Sequence, residues 1–163
     1  MLQDYCVAGQ ARAPYAMEAA RRDGFALAPQ AMVQPMVDAA GIRNAAVRAK
    51  FIDRAMIIVA AGNMVERGQA FDFCAIGVVP APAGRIVDEI RAWVGVDPAA
   101  AEEPGTTTFS YVEMPNGQRR SSEELTVAEL RRAGSEGRVH VVAVMESAEI
   151  TMVMYGALQA RTS

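Results

Sequence analysis

The sequence is poor in the residues that most often carry chemistry. Its 163 residues include one histidine, His140, one tryptophan, Trp93, one lysine, Lys50, and two cysteines, Cys6 and Cys74. A single histidine excludes metal sites built from several imidazoles and weakens any Ser-His-acid arrangement. Lys50 stands outside any glycine-rich phosphate loop, and the chain has neither G-x-G-x-x-G nor G-x-x-x-x-G-K-[ST]. Both features argue against nucleotide binding by those routes, and no cofactor is expected.

A basic field is also missing. The net charge is −3, and apart from Lys50 the basic residues are all arginine. A nucleic-acid binder needs positive charge to neutralise phosphates, so no nucleic-acid partner is expected. Long apolar runs are absent as well. The cleanest is 55–62, and the stretch 73–84 is interrupted by Pro80 and Pro82. A spanning helix needs roughly 20 apolar residues, so no membrane span is expected. The opening residues, MLQDYC, lack the basic and apolar regions of a signal peptide. A processed mature end behind an initiator Met would look the same.

Two cysteines leave two readings. Cys6 and Cys74 are buried thiols if the protein is cytoplasmic, or one disulfide if it is periplasmic or secreted. Closing a loop of that length would stabilise the fold by about 4 kcal/mol in the chain-entropy account.

What is present describes a globular chain. Hydrophobic residues make up 52% and charged residues 21%, a composition that buries a core. One domain over 1–163 is expected, with a helical or irregular part at 1–54 and a strand-strand-helix-strand-strand-strand-strand part at 55–163. Residues 11–22 read as a helix with Pro14 in its first turn and Gly24 behind it. Residues 29–41 carry no readable pattern, and 44–53 fits a helix or a strand. The β-branched cluster Ile57, Ile58 and Val59 predicts a strand over 55–61, and a second strand follows at 70–79.

The clearest helix is 83–94, where Ile86, Val87, Ile90, Trp93 and Val94 fall on one face and Gly95 follows as a cap. A threonine- and aromatic-rich strand is predicted at 106–114. Pro115, Asn116 and Gly117 then make a hairpin turn, with a return strand at 118–124. Thr126 and Glu129 have capping-box spacing. Residues 138–145 and 149–158 read as strands apolar on both faces, hence central. The whole is α+β: a mainly antiparallel sheet of about five to six strands, packed by the helix 83–94 and an N-terminal helix. Ile57, Val59, Phe73, Ile86, Ile90, Trp93, Val141 and Val153 are the expected core.

No nucleophile motif accompanies these elements. His140 lies between valines in a strand, where a satisfied sheet histidine is the ordinary case, and it is the one weak catalytic candidate. Glu146, Glu149 and Tyr111 are its candidate partners. Cys74 has apolar neighbours, the wrong setting for a reactive thiol. The arginine pairs Arg21-Arg22, Arg119-Arg120 and Arg131-Arg132 would bind an anion only if they converge. The methionine pairs Met32/Met36 and Met152/Met154 read as core filler and not as a Cu(I) site, so no metal is expected. The leading expectation is a non-catalytic binding or protein-interaction module whose surplus apolar sheet surface meets an unknown partner or a second copy. The alternatives are a small enzyme using His140 with a nearby carboxylate, and a carrier holding an apolar ligand beneath the Trp93 helix.

Overall fold

The structure, a computed structural model, describes residues 1–29, 31, 33, 42–66, 69–81, 86–100 and 104–158. Parts of several expected elements lie outside them: most of 29–41 with Met32 and Met36, residues 67–68 of a turn expected over 62–68, the first turn of the expected helix at 83–85, and residues 101–103 of a loop expected over 97–105. The fold is α+β. Eight strands form one antiparallel sheet: β1 (Ala26–Leu27), β2 (Ile42–Ile52), β3 (Ala55–Glu66), β4 (Gln69–Val79), β5 (Thr106–Glu113), β6 (Arg119–Ser121), β7 (Val139–Glu146) and β8 (Thr151–Leu158). Their spatial order is β1-β2-β3-β4-β8-β7-β5-β6. The helices are α1 (Ala13–Arg22), α2 (Ile86–Val94) and α3 (Val127–Ser135).

Eight strands exceed the expected five or six, for two reasons. The ambiguous stretch 44–53 is strand β2, paired with β3 from Ile42↔Met64 to Ile52↔Ala55. It therefore belongs to the sheet and not to an irregular N-terminal part. Alanines at 45, 46 and 49 fit helix and strand periods equally, so a neighbouring strand decides the outcome. The other addition is β1, only two residues long, which no periodicity can flag. The predicted return strand 118–124 is shorter than expected: β6 stops at Ser121, and a 3-10 turn takes Ser122–Glu124. The Ser121 side chain accepts from the Glu123 N–H there, a local bond that competes with further pairing.

Alternation along the strands divides the sheet into two faces. Val59, Cys74, Ile76, Phe109, Tyr111, Val142, Val144, Val153 and Tyr155 share one buried cluster with Ala16, Ala19 and Ala20 of α1 and with Ile90 and Val94 of α2. Both helices thus cover the same face. Three alanines on α1 let its backbone approach β3 closely, where larger side chains would hold it off. Pro14 starts α1, as its fixed φ allows. The opposite face receives α3, whose Ala133 is buried with Val112 and Val139. Thr126 and Glu129 form the reciprocal capping box that starts α3.

The N-terminal residues are anchored to the sheet. A π-helical turn, Gln3–Val7, places Cys6 in a disulfide with Cys74 of β4, and both sulfurs are fully buried. Next to it, the Tyr5 hydroxyl donates to Asp23 Oδ2 at 2.6 Å. Burial and that carboxylate push the Tyr5 phenol up to about 12. Of the expected core, Ile57, Val59, Phe73, Ile90 and Val153 are buried, while Ile86, Trp93 and Val141 are half-buried. No helix among the described residues is long and apolar enough to cross a membrane.

Candidate functional site

Charged side chains of both signs gather at the α2/β6 corner. Gly95, at φ +76, ends α2 in the left-handed conformation that glycine tolerates. The chain then turns along residues 95–98. Opposite it, the Asn116-Gly117 turn, with Gly117 at φ +79, returns the chain from β5 into β6. Between the end of α2 with residues 95–98 on one side and β6 with the following 3-10 turn on the other lies a cleft of about 540 Å³, lined by Arg91, Asp97, Arg119, Arg120, Ser121 and Glu123 among others.

Behind the cleft, five planar groups stand in a column. The Arg119 guanidinium lies over the Trp93 ring at 5.0 Å and over the Tyr111 ring at 5.0 Å. Tyr111 meets His140 with ring centroids 5.2 Å apart, and His140 stacks on Tyr155 at 5.7 Å with the rings 13° from parallel. Register explains the column. Tyr111 pairs with His140, His140 pairs with Ala157, and Tyr155 lies two residues along β8 on the same face. Arg119 pairs with Glu113, one residue pair beyond Val112. Each cation-π contact is worth about 0.5–1 kcal/mol at a partly exposed position.

Arg119 is fixed further by its Nη1, which donates to the Trp93 carbonyl at 2.7 Å and more weakly to the Val94 carbonyl at 3.5 Å. These are unpaired carbonyls at the end of a helix, where a cation also meets the negative end of the macrodipole. The three cleft arginines differ in one respect. Arg91 lies 3.9 Å from Asp88, and Arg120 lies 3.6 Å from Glu124. Among the described residues Arg119 forms no ion pair. Its guanidinium lies against both rings and is bonded through Nη1, and its other donors have no protein acceptor among the described residues.

The inner end of the column is buried. His140 is 5% exposed, Tyr111 and Tyr155 each 2%. Tyr155 Oη lies 2.9 Å from His140 Nδ1, and Glu113 Oε2 lies 3.7 Å from His140 Nε2. The carboxylate favours a proton on Nε2, leaving Nδ1 to accept from the Tyr155 O–H. Burial lowers the His140 pKa below its ordinary 6.5; Glu113 opposes the shift and Arg119 adds to it. Burial also raises the Tyr111 and Tyr155 phenols. All three groups are therefore neutral near pH 7.

A pH dependence follows. The unfolded chain binds a proton on His140 at 6.5, the folded chain only below that, so the unfolded state holds more protons between the two values. The stability this histidine contributes is complete above 6.5 and falls as the pH drops from 6.5 toward the lowered folded value. Urea midpoints of the wild type and of His140→Gln between pH 8 and 4.5 test this: the variant is expected to lose the decline attributable to one proton. Parallel profiles would contradict it.

Of the candidate partners of His140, only Tyr111 is brought to it. Glu146 lies six residues along β7, about 20 Å away at the rise of a strand. Glu149 lies beyond it in the β7–β8 turn. The near carboxylate is Glu113, on the adjacent strand. Neither His140 nor Trp93 lines the cleft. Arg119 and Arg120 do not converge through side-chain direction, since neighbours on a strand face opposite ways; both reach the cleft because it wraps the sheet edge. Among the described residues there is no group of three or more metal-ligating side chains. No protein-family profile, curated protein or solved structure matches the chain.

Proposed function

We propose that the chain is a non-catalytic binding domain whose cleft takes a ligand bearing a carboxylate, held by Arg119. The observation that carries this reading is the state of that side chain. Its guanidinium is clamped between Trp93 and Tyr111, bonded to the Trp93 carbonyl, and without a carboxylate partner among the described residues. A fixed guanidinium loses little entropy on binding, and its fork matches a carboxylate. Asp97, Glu123 and Glu124 share the cleft, so its charge is mixed, which suits one carboxylate better than a polyanion.

Trp93 is the only tryptophan, so its emission reports the Arg119 guanidinium against its ring without a label. Titration with succinate is expected to change that emission with a Kd near ~1 mM, typical of a small ligand held by one charge pair. Arg119→Lys is expected to weaken binding about tenfold, because an ammonium cannot reproduce the fork. An emission and an Arg119 side-chain NMR signal that both ignore succinate would end the reading.

The Cys6–Cys74 disulfide supports placement in an oxidising compartment, periplasmic or secreted. A second reading, self-association, would use the exposed edge of the sheet at β1–β2, where Leu27 (68% exposed) and Phe51 (76%) stand on opposite faces. Sedimentation showing only monomer at high concentration would remove it. Enzyme chemistry at His140 has less support: its imidazole is buried outside the cleft, and both ring nitrogens face groups of its own chain.

A further inference from the structure

The cleft borders an unpaired sheet edge as well as a fixed guanidinium. β6 is the last strand in the spatial order. The Glu113 N–H donates to Arg138 O, so Glu113 faces β7 and Val112 faces β6. Arg120, the partner of Val112, therefore turns its backbone groups inward. The Met114 N–H donating to Gln118 O fits the same alternation. The backbone N–H and C=O of Arg119 and the N–H of Ser121 thus point away from β5, and both residues line the cleft; the Ser121 C=O, at the N-cap of the 3-10 turn, accepts the first bond of that turn. An open edge of this kind is a template for another strand.

We infer that the ligand of this cleft is the C-terminal end of an extended peptide, which adds to the outer edge of β6 and places its terminal carboxylate on Arg119. This rests on the carboxylate reading above and narrows it to one partner. A chain end is favoured over an internal segment because β6 has only two outward-facing residues. A short ladder suits a segment that stops there, and the terminal charge supplies what the ladder lacks. Three acidic side chains around the cleft disfavour an acidic stretch as the occupant.

The test uses acetyl-Thr-Val-Thr-Val with a free carboxylate, the same peptide as its amide, and acetate. The free-acid peptide is expected to slow hydrogen exchange at the Arg119 and Ser121 amides and to shift the Arg119 side-chain signals. The amide is expected to bind about tenfold more weakly, and acetate to shift Arg119 without protecting either amide. Ser121 has φ −55° and ψ 137°, a conformation proline adopts. Ser121→Pro, which removes one of the two outward N–H groups, is therefore expected to abolish peptide binding. If acetate binds but no peptide protects the two amides, the strand-addition inference falls and the carboxylate cleft stands. If acetate and peptide both leave Arg119 unmoved, both fall. Peptide binding that survives Ser121→Pro also overturns the inference, and the exchange measurement on the wild type decides the matter if the variant fails to fold.

Discussion

Removing the Cys6–Cys74 bridge is expected to cost about 4 kcal/mol of folding free energy, a large share of the stability of a domain this size. The bridge joins residues 68 apart in sequence, so its loss frees a long loop in the unfolded chain. Its loss also acts on the folded state. Cys6 sits in the π-helical turn beside Tyr5, whose ring meets that of Phe25 edge to face at 5.7 Å. Without the bridge, the Tyr5–Asp23 bond and that ring contact are left to hold the N-terminal residues. Guanidinium unfolding of the wild type, with and without reductant, and of Cys6→Ala/Cys74→Ala measures the effect. Both sulfurs are fully buried, so reductant without denaturant is expected to act slowly. A double variant within about 1 kcal/mol of the wild type would contradict the chain-entropy account.

Tyr111→Ala is expected to destabilise the fold by about 3–5 kcal/mol, the range for losing a fully buried aromatic ring. Tyr111 occupies the centre of the column, with Arg119 on one face and His140 on the other. Its loss would therefore do two separable things. It opens a cavity under the sheet face, which a melt reads. It also frees one side of the Arg119 guanidinium, which succinate binding reads. Tyr111→Phe keeps the ring and removes only the hydroxyl. That change is expected to cost about 1 kcal/mol and to leave succinate binding unchanged. If Tyr111→Ala melts like the wild type, the ring is not packed as described. If it binds succinate as tightly as the wild type, the stack does not position Arg119.

Much of the architecture was legible because particular residues satisfied one period and not another. Ile90, Trp93 and Val94 repeat at helical spacing, and they form the covered side of α2. Val139, Val141, Val142 and Val144 admit no helix stripe and suit a strand with sheet neighbours on both sides, which β7 is. The stretch that became β2 was not legible, since alanine favours neither period and the deciding contact, β3, lies elsewhere. For the disulfide, the sequence offered a pairing of two cysteines but not the choice between thiol and bridge. That choice depends on the fold bringing residue 6 onto β4.

The cleft was barely legible, for a different reason. Arg119 drew notice only as half of an arginine pair, and pairs of neighbours on a strand carry no geometric meaning. Its role comes from Trp93 and Tyr111, which are 26 and 8 residues away along the chain. Glu113 was missed beside His140 because the register of β5 on β7 is set by no turn between them: α3 and the hairpin intervene. An arginine two residues after an Asn-Gly turn, opposite an alternating aromatic strand, was the available signal.

The order of the strands has a bearing on how the chain is made. β1 to β4 are neighbours in sequence and in space, and both cysteines lie within that half. A chain emerging N-terminus first can assemble this half and oxidise it before α2 exists. β4 must then wait for β8, the last of these eight strands in chain order, with its inner edge uncovered until then. The vulnerable interval therefore lasts until β8 emerges, and a chain truncated before residue 151 would present β4 as a sticky edge to its neighbours.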